Sequence, residues 1–274
     1  MILIVASKKD TAGLNIQKQI LSSYSFMERQ ERFQSNPTYQ IKIDAKNVQL
    51  VTLNDESVHA QNLPDSFTNL ELIAFISRHS SLSGTPTLSV HTPGNLAEAE
   101  LGGLPRKVSV SPANAMREAL KTMMKLKEQM KLDYEVCYEG THHGPSLDVP
   151  TMFVELGSSA KQWGDVKAAE AVARAAMEAI GQFDNRKAKA VLGIGGPHYN
   201  SRFTKMALES EFAFGHMIPK YAVSKVDSRI LTQCIERTME RVETIILDWK
   251  GIKGEDKQPL VSMLTELGTR FEKI

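Results

Sequence analysis

An α/β sandwich, with a mostly parallel sheet covered on both faces, is the fold class that this sequence predicts. Three observations carry the prediction. Apolar runs of strand length recur along the chain, amphipathic helical stretches alternate with them, and several runs are continuously apolar, the pattern of strands buried on both faces.

The elements follow in order. Residues 2–6, ILIVA, read as a buried first strand; no basic residue precedes them and Lys8, Lys9 and Asp10 cut the run short, so a signal peptide is not expected. Asp10 or Thr11 caps a helix over about 10–21 whose apolar positions are Leu14, Ile16, Ile20 and Leu21. Rough alternation over 39–43 and 47–53 predicts a strand pair, placed as an edge hairpin. The runs 70–77 and 87–90 are strands that stop at turns containing His79 and His91. Ser111 and Pro112 supply an N-cap and a first-turn proline for a helix to about Met130. Strands at 134–138 and 151–156, a helix from Asp165 to about Ile180 and a strand at 188–194 come next. A helix over 201–209 leads into the segment 212–221, which holds His216. Asp227 caps a long helix ending near Trp249, and a short helix is expected between Pro259 and Phe271. Residues 25–37 and 92–110 are the expected excursions, and the chain 1–274 reads as one domain with 92–132 as a candidate subdomain.

Composition limits the function. With 42% hydrophobic and 24% charged residues the chain can bury a sizeable core and is not disordered in character. No apolar run approaches the roughly 20 residues that span a bilayer, so no membrane partner is expected. A net charge of +1 argues against a surface-wide nucleic-acid binder, so any RNA contact must be local. Cys137 and Cys234 lie in apolar surroundings without CxxC spacing, which points to a reducing cytosol.

Six of the seven histidines, all except His59, fall in short turns rich in Gly, Pro, Ser or Thr, and four of these turns directly follow predicted strands. In open α/β sheets ligands bind at the carboxyl ends of strands, so the histidines are expected to converge; the plainer alternative is that each caps its own turn. A group of imidazoles flanked by carboxylates is best explained by a divalent metal, Zn²⁺ being favoured by nitrogen and oxygen ligands. Neighbouring residues of a strand point to opposite faces, but Gly144 and Pro145 force a turn after His142 and His143, so both can face a cleft or one can support the other. Glu155 lies inside the apolar run TMFVELG, where an unpaired carboxylate would cost several kcal/mol, so a cation or an arginine such as Arg78 must meet it.

Two further features bear on substrate. Gly195 and Gly196 follow a strand and precede a helix; they match no nucleotide-binding pattern, yet could offer backbone N–H groups to a phosphate or oxyanion. Arg117, Lys121 and Lys125 share an i, i+4, i+8 stripe opposite a row of methionines, either a solvated helix face or a contact for an RNA backbone.

The segments SRHSSLSGTPTLSVHTPGN, YEGTHHGPSLDVPTMFVELGSS, GIGGPHY and FAFGHMIPKYA, with the opening MILIVASKKDTAGLNI, resemble the archaeal and plant type of D-aminoacyl-tRNA deacylase over essentially the whole chain. The resemblance implies a three-layer α/β/α fold of the phosphorylase/hydrolase kind and a cytoplasmic, zinc-dependent hydrolase that cleaves the ester between a D-amino acid and tRNA. It implies no residue roles, which rest on the residues themselves. His142, His143, His198 and Glu155 are the first choices for metal ligand or general base, and His79, His91 and His216 the second rank, around one or two Zn²⁺ ions. Arg78 is assigned either to a terminal phosphate or to Glu155, a donor near Gly195 to the oxyanion, and Arg117, Lys121 and Lys125 to RNA. A monomer without DNA partners is expected. The alternatives are a zinc peptidase or amidohydrolase, or a peptidyl-tRNA-hydrolase-like enzyme, on the same scaffold; a phosphorylase-like nucleoside binder; and a non-catalytic RNA-binding module.

Overall fold

The computed structural model describes residues 1–184 and 187–274. β1 (Ile2–Ser7) leads into α1 (Thr11–Ser23), and β2 (Met27–Phe33), β3 (Asn36–Ile43) and β4 (Lys46–Leu53) follow as a meander. Short 3₁₀ turns at Ser57–His59 and Leu63–Ser66 precede β5 (Leu72–Arg78) and β6 (Thr87–His91). The two-residue strands β7 (Gly94–Asn95) and β8 (Lys107–Val108) pair ahead of α2 (Ala113–Met130), β9 (Glu135–Tyr138), β10 (Thr151–Gly157), α3 (Ala160–Trp163) and α4 (Val166–Gly181). The last part comprises β11 (Lys189–Ile194), α5 (Ser201–Glu209), β12 (Phe212–Ile218), α6 (Ser228–Glu236), β13 (Thr244–Leu247), α7 (Gly254–Glu266) and β14 (Arg270–Lys273).

These strands build two main sheets, one ordered β2-β3-β4-β1-β5-β10-β6-β9 and one ordered β12-β11-β13-β14. Only β2–β3, β3–β4 and β10–β6 pair antiparallel within them, so the predicted mixed, mostly parallel α/β architecture holds. β1 is central and buried along its whole length, which is why ILIVAS is continuously apolar. Asp10 starts α1 by accepting from Gly13 N, and its second oxygen accepts from Arg78 N at 2.7 Å, tying the helix to the end of β5. Gly13 sits where a Cβ would lie 2.7 Å from the Ile76 carbonyl, a close approach that only glycine permits.

Alternation along the strands decides where each face goes. Ile2, Ile4, Ala74, Ile76, Leu88, Val90 and Val154 pack with α1, α2 and the alanine-rich α4. Leu3, Val5, Ile73, Phe75 and Phe153 face the other way, under Leu63 of a 3₁₀ turn and Leu147. That second face is thus roofed by 3₁₀ turns and loops rather than by long helices, which leaves room for a cleft. The smaller sheet is covered on both sides: Phe214 and Ile246 join the core shared with α2, while Ile194, Ile245 and Leu247 pack with Leu231 of α6 and Leu260 of α7.

The structure corrects several expectations. Residues 25–37 are not an excursion, because 27–33 form the edge strand β2 and so move the β3–β4 pair inward. Ser111 does not cap α2; the helix begins one residue later and the Glu240 carboxylate accepts from Ala113 N and Asn114 N, both at 3.0 Å. The long helix expected from Asp227 to Trp249 ends at Glu236, and the apolar run 244–247 becomes β13, because the parallel sheet has an open position beside β11. The helix placed between Pro259 and Phe271 begins earlier, at Gly254, and Phe271 belongs to β14. Residues 92–132 supply β7, β8 and α2, whose Met116, Leu120 and Met123 join the main core.

Candidate metal centre and cleft

Five histidines and two glutamates meet on the loop-roofed face of the larger sheet. Glu155, in β10, follows the parity of Phe153 and lies between Ser77 of β5 and Ser89 of β6. His91, at the end of β6, lies opposite Phe153 and stacks on its ring with centroids 5.2 Å apart. His142 and His143 follow β9, where Gly140 N donates to the His198 carbonyl and Thr141 N to the Met217 carbonyl, drawing the loops after β11 and β12 to the same place. His143 adopts a left-handed φ of 43°, and this lets two consecutive imidazoles turn to the same side. Their ring centroids are 4.2 Å apart, and those of His91 lie 4.3 Å from His142 and 4.9 Å from His143.

The hydrogen bonds fix how the donors point. The Nδ1 of His142 meets the Gly140 carbonyl at 2.8 Å and that of His143 meets the Gly144 carbonyl at 2.7 Å. A carbonyl only accepts, so both Nδ1 atoms carry hydrogen and both Nε2 lone pairs are left for a ligand, the arrangement usual around metals. Burial, reinforced by His143 and His91, pushes the His142 pKa well below the ordinary value; burial and His91 bring that of His143 to about 4. Both rings are therefore neutral near pH 7, as ligation requires. His91 is fully buried, and among the described residues neither of its ring nitrogens has a hydrogen-bond partner.

Behind this trio lies a carboxylate layer. Glu139, fully buried, reaches His198 Nε2 at 3.1 Å with one oxygen and His79 Nδ1 at 3.2 Å with the other. Glu155 accepts from Ser77 Oγ at 2.6 Å and lies 3.6 Å from His79 and 3.8 Å from His91. Burial alone would lower the His79 pKa, but the two carboxylates outweigh it and raise it to about 11. The nearby His79 and His91 rings outweigh burial in turn and hold Glu155 near 2. Three sets of donors result, His91 with His142 and His143, Glu139 with His142 and His198, and His79 with Glu139 and Glu155, and within each the ligand atoms lie within 4.8 Å of one another. The orphaned His91 nitrogens and the all-nitrogen-and-oxygen donor set fit a Zn²⁺ ion.

A cleft of about 460 Å³ opens onto this group, lined by Asp10, Glu56 and Arg78 together with His142, His198 and Tyr199. Tyr199 OH lies 2.7 Å from His79 Nε2.

Of the residues singled out in the sequence, His79, His91, His142, His143, His198 and Glu155 come together, although on a face of the sheet rather than beyond its carboxyl edge. His216 does not join them. It is buried elsewhere, with Nδ1 3.2 Å from Thr141 Oγ1 and Nε2 3.3 Å from the Arg237 carbonyl, and so props up the turn before His142. Arg78 does not pair with Glu155, because it is drawn to Glu56 at 3.0 Å and to the Lys9 carbonyl at 2.7 Å. Gly195 N donates to Ile218 O and Gly196 N to Gly251 O, so neither is free for an oxyanion. Arg117 is spent on the end of α5, donating to the Ala207 and Ser210 carbonyls. Lys121 and Lys125 are exposed on α2, behind the sheet from the cleft. The sequence reading missed Glu139 and Tyr199. Glu139 was detectable as a carboxylate closing the apolar strand immediately before the histidine turn, whereas nothing local marked Tyr199.

Fold and site together define a mixed α/β protein with a histidine and carboxylate centre suited to a divalent metal. The model of the family described as D-aminoacyl-tRNA deacylase matches residues 66–272. D-aminoacyl-tRNA deacylase of Pyrococcus abyssi is 39% identical over 279 residues, covering all of both chains, and that of Thermococcus kodakarensis is 39% identical over 277 residues, covering 99% of each. A crystal structure of a conserved protein of unknown function superposes with a TM-score of 0.86 at 29% identity, covering 100% of this chain and 95% of that one. This chain belongs to the D-aminoacyl-tRNA deacylase family.

Proposed function

We propose that the protein hydrolyses the ester between a D-amino acid and the terminal ribose of tRNA, using a Zn²⁺ ion held by His91, His142 and His143, with Glu139 and His198 able to hold a second. The observation that carries this reading is the cluster of three imidazoles, in which neutral His142 and His143 are fixed by carbonyls so that Nε2 faces the group and the nitrogens of fully buried His91 have no other partner among the described residues. Bound zinc supplies a Lewis acid and lowers the pKa of water towards about 7. The chain supplies the rest. Protonated His79 pairs through Nδ1 with the Glu139 carboxylate and donates from Nε2 to Tyr199, which leaves the Tyr199 O–H free to donate. On this reading that hydroxyl donates to the ester carbonyl or to the departing ribose oxygen. Asp10 and Glu56 also line the cleft, Glu56 paired with Arg78 at 3.0 Å, and these carboxylates are assigned on the same reading to the protonated α-amino group of the substrate. The net change is addition of water across the ester, freeing D-amino acid and tRNA.

The reading also has the chain acting in the cytoplasm as a monomer, with no DNA or membrane partner; no helix among the described residues is long and apolar enough to cross a membrane. Elemental analysis of purified protein, paired with release of tyrosine from D-tyrosyl-tRNA and L-tyrosyl-tRNA, tests the proposal. Expected are bound zinc, loss of D-tyrosine release on chelation with recovery on adding zinc back, and far slower attack on the L-ester. Full activity of metal-free protein would refute the metal assignment.

A further inference from the structure

The lysine stripe on α2 lies behind the sheet, but a second basic surface adjoins the histidine cluster directly. β12, β11, β13 and β14 run parallel, so their carboxyl ends at Ile218, Ile194, Leu247 and Lys273 share one edge. The loop after β11 carries His198 and Tyr199 into the cleft. The segment after β12 begins with exposed Lys220 and with Tyr221, whose hydroxyl lies 3.1 Å from His198 Nδ1. The turn after β13 presents Trp249 and Lys250, and the indole of Trp249 is flanked by Lys273 Nζ at 3.9 Å and Lys257 Nζ at 4.8 Å.

The charges of this edge are not balanced locally. Lys220, Lys225 and Lys250 are exposed, and their ammonium groups have no carboxylate partner among the described residues. Most nearby carboxylates are already engaged: Asp248 binds Arg202 at 2.7 Å, Glu272 binds Arg270 at 2.7 Å, Glu255 lies 4.0 Å from Lys253, and Asp256 is buried. Free lysines beside exposed Tyr221 and half-buried Trp249 are the footprint of a surface that follows a phosphate backbone and stacks unpaired bases. A chain of net charge +1 shows this footprint only locally, and here it leads into the catalytic group through Tyr221 and His198.

We propose that this carboxyl edge is the docking surface for the unpaired 3′ end and adjoining phosphates of the RNA substrate, an inference that rests on the deacylase reading. Lys220, Lys225 and Lys250 contact phosphates, and Tyr221 offers a stacking platform where the RNA enters the cleft.

The test uses the whole chain carrying Lys220→Gln, Lys225→Gln and Lys250→Gln together, with circular dichroism confirming the fold. KM for D-tyrosyl-tRNA should rise about tenfold or more with kcat within about twofold, and the fall of log(kcat/KM) with log salt should become shallower by about two to three units, near one per lost phosphate contact. The control pair Lys121→Gln and Lys125→Gln on α2 should leave KM unchanged. Affinity for uncharged tRNA, read by fluorescence anisotropy, separates the two questions. Wild-type protein that binds tRNA through the three lysines but releases no amino acid would overturn the deacylase reading while upholding the surface. Deacylation whose KM, salt slope and tRNA affinity ignore the three lysines, or depend equally on the α2 pair, would overturn the surface.

Discussion

Replacing His216 with asparagine should make the fold less sensitive to acid. The ring is fully buried; its Nε2–H donates to the Arg237 carbonyl, so Nδ1 accepts from Thr141 Oγ1, the tautomer of a neutral imidazole. Burial brings its pKa down to about 4, against an ordinary value near 6.5. Between those values the unfolded chain takes up a proton that the folded chain refuses, so stability is intact above about pH 6.5 and is lost as the pH falls towards 4. At about pH 5 the loss from this residue alone is about 2 kcal/mol, since a tenfold difference in proton affinity between folded and unfolded chain corresponds to about 1.4 kcal/mol. Asparagine cannot titrate, and its packing defect is the same at both pH values, so the difference between two pH values isolates the proton. Urea unfolding of wild type and His216→Asn at about pH 7 and about pH 5, followed by both fluorescence and far-ultraviolet dichroism, measures it. The variant should lose about 2 kcal/mol less than wild type on acidification. Parallel losses in the two proteins would refute the assignment of His216 as a neutral prop for the Thr141–His142 turn.

Two other perturbations test other parts of the structure. Glu139→Gln leaves an amide, with one acceptor oxygen, between His79 and His198, so zinc affinity in equilibrium dialysis should fall about 10- to 100-fold; unchanged affinity would remove Glu139 from the centre. Glu240→Ala strips the acceptor from two backbone donors in the first turn of α2 and should cost about 1–2 kcal/mol in urea unfolding, a cost that water would cancel if the site were open to solvent.

Local pattern determined a good deal of this protein by itself. The apolar runs at the first strand, at 70–77 and at 151–156, the cap at Asp10 and the cap at Asp165 depend on short-range periodicity and on backbone groups a few residues away, and each stands in the fold within a residue or two of its expected position. The histidine turns that close strands were visible for the same reason, as was the buried carboxylate of Glu155 and its need for a partner.

What the partner is, only the tertiary structure decided. β10 enters the sheet between β5 and β6, far from both in sequence, and that insertion gives Glu155 the company of Ser77, His79 and His91 in place of Arg78. Arg117 and His216 looked available for RNA and metal, yet the ends of α5 and of α6 claim them with carbonyls that no local pattern announces. Periodicity tells a side chain whether it is buried, because burial depends on its own element. Which polar group it meets there depends on strand order and register, which long-range packing alone sets.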